Sequence, residues 1–311
     1  MADVTTLRVG VAGAGATGGY LAAALANAGA DVTLLARGRS ADAIARDGLV
    51  VRGPGDREIE ARPASVVRAG DDVEPVDVTL FCVKSYDTEQ AARDVEALVG
   101  EDGIILCLQN GVANEDVLAD RYSKSRIMSG VLYIGAERVA PGVIECSTDA
   151  RVTFGPYDGR ATESVWAPLQ QLLTAAGVTC TIDEHIRAAK WQKFLFNCGL
   201  NPLTALTRQK LGSIRAEPAG QGLFEGLIDE ALSAALASGA PLASDAKQQV
   251  LATANRMDIS SSMAEDLAAG RPMELDAFTG HVLRLARAHD TPSNRTAVVH
   301  DLLQVLDGHA G

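Results

Sequence analysis

One lysine and two asparagines recur at steps of four residues in an apolar stretch of the chain: Lys193, Asn197 and Asn201. Because residues four apart lie nearly above one another on a helix, the three side chains are predicted to form one polar stripe. Burial of polar groups is costly unless each finds a partner, so the stripe indicates a ligand or another polar surface. The alternative is an amphipathic helix with its polar side in water, although Phe194 and Phe196 leave little ordinary solvent face.

Lys193 gives this stripe a cation in mostly apolar surroundings. An ammonium group can stabilise a developing alkoxide and deliver a proton to it. Lys190 is a competing lysine, but it lies off the line through the asparagines, and a salt-bridged surface lysine remains the alternative for Lys193. Pro202 removes one N–H and crowds the preceding turn, which predicts either a kink after Asn201 or the end of the helix.

A glycine-rich turn follows the first strand pattern and opens the first helix pattern. Its glycines are Gly13, Gly15 and Gly18. They permit a tight turn, close approach of the backbone to a pyrophosphate, and close packing of helix on strand. With Ala16 and Thr17, the turn is predicted to bind a dinucleotide at the helix N-terminus. A glycine turn without a ligand is the alternative, because the motif alone is weak evidence.

The end of the second strand predicts which dinucleotide binds. Folds that prefer NAD usually carry Asp or Glu there, but this chain has Ala36-Arg37-Gly38-Arg39-Ser40. Arg37 could bond to a 2′-phosphate and stack on adenine, with Arg39 and Ser40 assisting, so the predicted cofactor is NADPH/NADP⁺. A solvated arginine loop is the alternative.

Two further loops come directly after strands, where ligands bind in open α/β sheets. Lys84 lies in the first and could approach a cofactor phosphate, the ribose or the substrate. Asn110 lies in the second and could bond to the ribose or the carboxamide side of the nicotinamide. As an isolated fragment, Asn110-Gly111 is an ordinary turn signal.

Strand and helix patterns alternate from Leu7 to Ile182 and give way to helical patterns alone after Asp183. The predicted fold is α/β, with an N-terminal Rossmann-type doubly wound sheet followed by an all-helical C-terminal domain. We place an NADP-binding domain at 1–184 and a helical substrate and catalytic domain at 185–311. The helical patterns cover roughly 185–206, 216–239, 242–255, 260–269, 273–289 and 293–307.

Bulk composition restricts the partners of these 311 residues. A formal net charge of −12 argues against nucleic acid or an anionic membrane as the main partner. No apolar run has transmembrane length and no signal peptide pattern is present, so we expect a cytoplasmic protein. The five cysteines and five histidines show no metal-ligand spacing, so no metal is expected. Apolar helix faces are compatible with a homodimer.

Taken in order, these motifs resemble the ketopantoate reductase (2-dehydropantoate 2-reductase) family over essentially the whole chain. The resemblance is carried by Gly13-x-Gly15-x-x-Gly18, Arg37, Val83-Lys84-Ser85, Gln109-Asn110-Gly111, Lys193-x-x-x-Asn197-x-x-x-Asn201-Pro202, Ser261-Ser262-Met263 and Glu274-Leu-Asp276. It implies an enzyme that reduces the ketone of 2-dehydropantoate to (R)-pantoate with NADPH, a step toward pantothenate and coenzyme A. It also implies an active site in the cleft between the two domains.

The resemblance further implies a role for each site residue. Lys193 would be the general acid, and Glu274 would anchor the substrate's hydroxyl or support Lys193. Asn197 and Asn201 would hold substrate hydroxyl and carboxylate groups, and Ser262 would bind the carboxylate. Asn110 would help to position nicotinamide and substrate. Burial would lower the pKa of Lys193 and Glu274 would raise it, so the direction stays open. Asp276 is interpreted as a helix-start residue or one that supports the site indirectly.

Two departures from the family pattern put the substrate in doubt. Asp258 lies close before the Ser-Ser-Met motif, where the family often has Asn, and would disfavour a bound carboxylate if it pointed inward. The loop 207–210 carries Arg208 and Lys210, where a small polar residue is common. Alternative functions are therefore reduction of another branched or aromatic 2-keto acid, or non-catalytic sensing of NADPH. The sensor would not need Lys193 and its polar neighbours.

Overall fold

The computed structural model describes residues 7–55, 57–158 and 163–308. The strands are β1 (Arg8–Ala12), β2 (Asp31–Leu35), β3 (Leu49–Arg52), β4 (Glu58–Ala61), β5 (Ser65–Val67), β6 (Val78–Phe81), β7 (Ile104–Cys107), β8 (Ile127–Tyr133), β9 (Ala136–Ala140), β10 (Val143–Cys146), β11 (Arg151–Pro156) and β12 (Thr179–Ile182). The helices are α1 (Ala16–Asn27), α2 (Gly38–Asp47), α3 (Thr88–Asp94), α4 (Glu96–Val99), α5 (Asn114–Ala119), α6 (Glu163–Ala175), α7 (Ile186–Thr207), α8 (Leu211–Ala216), α9 (Pro218–Ala237), α10 (Ala246–Ala254), α11 (Ser262–Ala268), α12 (Thr279–His289) and α13 (Asn294–Asp307). Three 3₁₀ helices occupy Ser85–Asp87, Lys124–Arg126 and Leu275–Ala277.

The chain divides into two compact units. The first contains 1–109 and 113–186, and the second contains 110–112 and 187–311. The short segment Asn110–Val112 therefore groups with the helical unit, although it lies within the first predicted domain. Val112 packs against the helical core, which accounts for this grouping.

The first unit is built on an eight-stranded sheet in the order β12-β11-β8-β7-β6-β1-β2-β5. Neighbouring strands are parallel except for β8 and β11. β6 and β7 are buried along their whole length, as expected for strands covered on both faces. The α/β class and the mostly parallel sheet predicted from the sequence are confirmed.

β1 lies at the point where the strand order of the sheet reverses. β1 pairs with β2 on one side and with β6 on the other, so the chain reverses its direction of travel across the sheet there. Loops that follow the carboxyl ends of strands at such a point diverge and leave a crevice for a ligand. The glycine turn and Lys84 both lie in loops of this kind.

A smaller four-stranded sheet, in the order β4-β3-β10-β9, packs beside α1. β3 and β4 form an antiparallel hairpin, with Leu49 opposite Ala61. Ile144 of β10 packs closely against Gly19 of α1, where a Cβ would lie 2.8 Å from the Ile144 side chain.

The second unit is helical, and its core includes Phe194 and Leu195 of α7 and Phe224 of α9. The possibility that the helix ends at Pro202 is wrong, because α7 continues past it to Thr207. The helix predicted over 273–289 is also wrong at its start. A 3₁₀ helix precedes α12, and the buried Phe278 between them has non-helical dihedrals of φ −120° and ψ −92°.

Candidate active site

The turn between β1 and α1 needs glycine at two positions. Gly13 has a φ of +104°, which L-residues with a side chain rarely adopt. A Cβ on Gly18 would lie 1.9 Å from the carbonyl oxygen of Gly13, closer than any side chain allows. The Gly13 N–H donates to the carbonyl oxygen of Leu35 at 3.0 Å, which fixes the turn against the end of β2.

Gly15 and the start of α1 leave the same turn open to a ligand. A Cβ on the exposed Gly15 would meet nothing within 4 Å. α1 begins at Ala16 with no side-chain cap and no acidic residue in its first turn. Its first N–H groups, around Ala16 and Thr17, therefore keep their capacity to bind an anion, and the helix dipole favours one there. The turn fits the pyrophosphate of a dinucleotide.

Arg37 lies directly after the second strand, as the sequence predicts. It is also paired with two carboxylates that the sequence did not indicate. It occupies the residue before α2, directly after β2. Its Nη2 lies 2.6 Å from Oδ2 of Asp94, and its Nη1 lies 3.7 Å from Oδ1 of Asp87. Gln90 donates to the other Asp94 oxygen at 2.7 Å. About half of the Arg37 side chain stays exposed, so its guanidinium can still reach a ligand.

Ser40, in the first turn of α2, also has a partner that is distant in the sequence. It is buried, and its Oγ accepts a hydrogen bond of 2.8 Å from Nη1 of Arg138. Arg138 belongs to β9 of the small sheet and is itself exposed. Arg39 is also exposed on α2. The sequence offered no signal for Arg138, because 98 positions separate it from Ser40.

The loops after β6 and β7 are tied together by buried hydrogen bonds. Lys84 immediately precedes the 3₁₀ helix that follows β6. Thr88 donates to the carbonyl oxygen of Ser85 at 2.7 Å and accepts from Nε2 of Gln109 at 2.8 Å. Gln109 directly precedes Asn110. This network fixes the positions of both loops at the carboxyl ends of β6 and β7.

Lys193 and Asn110 are brought together by the fold. The ammonium Nζ of Lys193 donates to Oδ1 of Asn110 at 3.0 Å, although 83 positions separate the two residues. Both groups belong to the second compact unit. An acceptor that carries no charge holds the ammonium in place without neutralising it, so the group keeps the ability to stabilise negative charge.

The pKa of Lys193 is lowered from its usual value to about 8. Burial is the largest cause, because a desolvated ammonium is less stable than in water. The like charge of Lys190, one helical turn earlier and itself 6 % exposed, also lowers it, whereas Glu274 raises it. The direction that the sequence left open is therefore downward. A lysine with this pKa is still mostly protonated at neutral pH and can give up its proton.

Asn197 and Asn201 are buried on the same helix, at 8 % and 3 % exposure. Across residues 7–55, 57–158 and 163–308, neither side chain forms a hydrogen bond to protein. A buried carboxamide normally has a partner, since an unsatisfied one costs free energy. Two such groups in line with Lys193 therefore offer donors and acceptors to a polar ligand.

Glu274 is a buried carboxylate at 7 % exposure, placed just before the 3₁₀ helix Leu275–Ala277. Its charge acts on Lys193, which brings Lys193, Asn110 and Glu274 into one group. Asp276 behaves differently. Its side chain is 86 % exposed and pairs with Arg284 at 3.2 Å, so it lies outside that group.

Ser261 and Ser262, at the start of α11, have different surroundings that the sequence did not indicate. Ser261 caps α11 by accepting from the Ala264 N–H, and its Oγ lies 2.7 Å from Oγ1 of the buried Thr204 on α7. Ser262, the predicted carboxylate ligand, is the exposed first residue of α11. Over the described part of the chain, it makes no hydrogen bond to Lys193 or to another predicted site residue.

The two departures from the family pattern have local structural explanations. Oδ1 of Asp258 accepts from the Gly212 N–H at 3.0 Å, so this carboxylate satisfies the start of α8. Arg208 has a φ of 55° directly after α7 and lets the chain turn, and Lys210 is the residue before α8. Both positions thus shape the connection between α7 and α8.

The described residues contain neither a helix that could span a membrane nor a cluster of metal-binding side chains. None of the helices in this part of the chain is long and apolar enough to cross a bilayer. The same residues contain no group of three or more His, Cys, Asp or Glu side chains with the proximity to hold a metal ion.

The fold and the sequence comparisons together define an oxidoreductase with a Rossmann-type sheet followed by a helical part. The family description "Ketopantoate reductase PanE/ApbA" matches residues 9–159, and "Ketopantoate reductase PanE/ApbA C terminal" matches residues 185–307. The chain therefore belongs to the ketopantoate reductase PanE/ApbA family.

Individual proteins agree with this assignment. A 2-dehydropantoate 2-reductase from Halobacterium salinarum is 31% identical over 303 residues, covering 96% of this chain and 98% of its own length. The crystal structure of a PanE/ApbA family ketopantoate reductase from Ralstonia eutropha JMP134 superposes with a TM-score of 0.86 at 29% identity, covering 98% of this chain and 99% of that chain. A D-mandelate dehydrogenase shares the fold, with a TM-score of 0.89 at 19% identity and coverage of 98% and 99%.

Proposed function

We propose that this protein reduces the ketone of 2-dehydropantoate to (R)-pantoate with NADPH, as a step of pantothenate and coenzyme A biosynthesis. The observation that carries the proposal is the Lys193 ammonium, held by Asn110 at 3.0 Å and with its pKa lowered to about 8. The names of similar proteins, such as the Halobacterium 2-dehydropantoate 2-reductase, support the substrate.

Lys193 is the proposed proton donor. During reduction the carbonyl oxygen gains negative charge, and an ammonium within hydrogen-bond reach stabilises that charge before it transfers its proton. A pKa of about 8 suits the group because it is largely protonated at neutral pH, yet more acidic than an ordinary lysine. Glu274 is proposed to counter the effect of burial and to anchor the substrate's hydroxyl group.

The substrate is proposed to bind to the carboxamides on α7. Asn197 and Asn201 are buried without a protein partner, and each can both donate and accept. We assign them to the substrate's hydroxyl and carboxylate groups. Ser262 is assigned to the carboxylate as well, and its exposed position leaves its hydroxyl accessible. Asn110 is proposed to position the nicotinamide and the substrate.

NADPH supplies the hydride when it is bound. Residues of the first unit are proposed to hold it: Gly13, Gly15, Ala16, Thr17 and Gly18 at the pyrophosphate, Arg37 at the 2′-phosphate, and Lys84 at a phosphate or ribose. The open face of Gly15 supports the pyrophosphate assignment. The half-exposed guanidinium of Arg37 supports the second assignment, although Asp94 and Asp87 already share its charge. Residues 1–184 are thus the proposed cofactor domain, and 185–311 the substrate domain.

The test is loss of NADPH absorbance with 2-dehydropantoate, beside other branched and aromatic 2-keto acids and an NADH control. Fast turnover selective for 2-dehydropantoate and NADPH is the expected result. Turnover with a different keto acid would keep the mechanism and move the protein out of pantothenate synthesis. Tight binding of NADPH with no turnover on any keto acid would contradict the enzymatic proposal and favour a sensor of NADPH.

A further inference from the structure

Arg37 by itself does not supply the net positive charge that favours a 2′-phosphate, because two carboxylates share its charge. Asp94 lies 2.6 Å from its guanidinium and Asp87 lies 3.7 Å away. The Asp94 side chain is only 10 % exposed and is also held by Gln90, so it is a fixed part of this cluster. One arginine with two carboxylates carries one net negative charge, which opposes the approach of a phosphate dianion.

Arg138 supplies a cation to the same helix turn from another part of the chain. Its Nη1 donates to Oγ of Ser40 at 2.8 Å, and Ser40 lies three positions after Arg37 in the first turn of α2. The hydroxyl group anchors the guanidinium but carries no charge. Over the residues that the structure describes, no carboxylate lies within 4.0 Å of Arg138, so its charge is not neutralised by an ion pair.

We propose that Arg138 is a second determinant of the choice of NADPH over NADH, binding the 2′-phosphate beside Arg37. The inference rests on the proposed cofactor assignment. A guanidinium has five N–H donors, and the bond to Ser40 uses one of them. The exposed remainder of Arg138 can bond to phosphate oxygens in paired geometry. Ser40 then acts as a positioning residue, because it holds Arg138 at the turn that Arg37 begins.

In this arrangement Arg37 and Arg138 have different roles in binding the dinucleotide. Arg37 is fixed by Asp94 and is proposed to bond to the 2′-phosphate with its exposed part, although the two carboxylates offset its charge. Arg138 brings the uncompensated charge that distinguishes a phosphate from a hydroxyl group. Removal of the Arg138 charge should therefore weaken NADPH binding and leave NADH binding unchanged.

The experiment measures dissociation constants of NADPH and NADH by fluorescence titration, in the full chain, for wild type, Arg138→Gln and Arg138→Lys. Arg52→Gln is the matched control, because Arg52 is an exposed arginine of the same small sheet, paired with Glu58 at 3.0 Å. We expect Arg138→Gln to weaken NADPH about tenfold, which is the loss typical of one charge-assisted contact. Arg138→Lys should retain part of that affinity, and Arg52→Gln should bind as wild type does.

Equal weakening of both dinucleotides by Arg138→Gln, or no weakening of either, would overturn the inference. Keto acid turnover, measured in parallel, tests the proposed function separately. A wild-type protein that turns over with NADPH but shows no effect of Arg138→Gln would contradict only the role of Arg138. A wild-type protein that binds neither dinucleotide would overturn the cofactor assignment and the inference together. If Arg138→Gln does not fold, Arg138→Lys, with the expected partial loss for NADPH alone, decides the question.

Discussion

The glycine turn and the Lys193 group, the two proposed binding regions, are built in opposite ways. The turn uses backbone N–H groups, and its key requirement is the absence of side chains at Gly13, Gly15 and Gly18. The Lys193 group uses side chains from α7, from the segment Asn110–Val112 and from the start of the 3₁₀ helix before α12. The first site is contiguous in sequence, and the second is assembled from distant segments.

The two regions also treat charge differently. Arg37 is half-exposed and balanced by two carboxylates, so water and neighbours share its charge. Lys193 is part-buried, and the buried Lys190 and Glu274 both act on it. Burial is the largest cause of its lowered pKa. The Arg37 charge is proposed to select between dinucleotides. Desolvation brings the pKa of a lysine toward neutral pH, so Lys193 can take part in a proton transfer. Amino-acid replacements in the two regions test this difference in how charge is treated.

Replacement of Lys193 by alanine should remove most turnover and leave cofactor binding intact. Loss of a positioned proton donor typically lowers rate by about 10²–10⁴-fold. The measurement is kcat for keto acid reduction beside NADPH titration. Lys247→Ala serves as the control, since Lys247 pairs with Asp229 at 2.6 Å on the same unit and should keep full activity. If Lys193→Ala also fails to bind NADPH, the contrast between the two regions is broken, because structural damage explains both losses.

Two glycine substitutions in one turn should have different consequences. Gly15→Ala adds a Cβ with nothing within 4 Å, so the melting temperature should stay unchanged while NADPH affinity falls by about tenfold or more. Gly18→Ala places its Cβ 1.9 Å from a carbonyl oxygen and should lower stability by about 1–3 kcal/mol. Thermal melts and dinucleotide titrations on both variants distinguish these outcomes. Normal NADPH affinity in Gly15→Ala would show that no pyrophosphate approaches there.

Arg37→Ala should weaken NADPH binding, by about tenfold, far more than NADH binding. The physical reason is loss of a guanidinium beside the adenosine ribose, where the two dinucleotides differ by one phosphate group. Titration with both dinucleotides gives the ratio. Arg46→Ala is a suitable control, because Arg46 is an exposed arginine at the other end of α2. Equal effects of Arg37→Ala on both cofactors would contradict the 2′-phosphate assignment.

The pH profile should report the environment of Lys193. A general acid must be protonated, so kcat/KM for reduction should fall as pH rises through the Lys193 pKa of about 8. Among the described residues, Lys190 on the same helix and Glu274 before the 3₁₀ helix act on the pKa of Lys193, and the uncharged Asn110 accepts its hydrogen bond. Lys190→Met removes a like charge, so the pKa rises and the alkaline limb moves to higher pH.

The expected displacement in Lys190→Met is on the order of half a pH unit or more. Lys190→Arg keeps the charge and should leave the limb near its wild-type position. Loss of stability alone would lower activity at every pH without moving the limb, which separates packing from electrostatics. A limb that stays in place in Lys190→Met would mean that Lys190 does not tune Lys193.

Several features were predictable because they depend on local pattern. The strand–glycine–helix unit was found from Gly13, Gly15 and Gly18, whose spacing reflects backbone geometry. The helix predicted over 185–206 lies at Ile186–Thr207, since its apolar residues follow helical spacing. The short elements β5, α5 and α8 were missed, because few residues carry little periodicity. The ten-residue α2 was missed because its first residues were interpreted as a loop after β2.

Other errors came from packing that no local pattern encodes. The helix predicted from 273 is interrupted because Phe278 is drawn into the core with non-helical dihedrals. Ser261 takes the capping role and Ser262 stays exposed, a choice between adjacent identical residues that only the position of Thr204 decides. Asp258 bonds to the start of α8, which its own neighbours in sequence do not reveal.

The sequence by itself determined the α/β class, the alternation of strands and helices, the glycine turn and the membership of the Lys–Asn–Asn stripe. These follow from periodicities and from backbone requirements that act over a few residues. Only the tertiary structure decided that Asp94 pairs with Arg37, that Ser40 accepts from Arg138, and that burial outweighs Glu274 in setting the pKa of Lys193. Electrostatic energy depends on distance and burial in three dimensions, so residues far apart in the chain affect the pKa of Lys193 and the charge around Arg37.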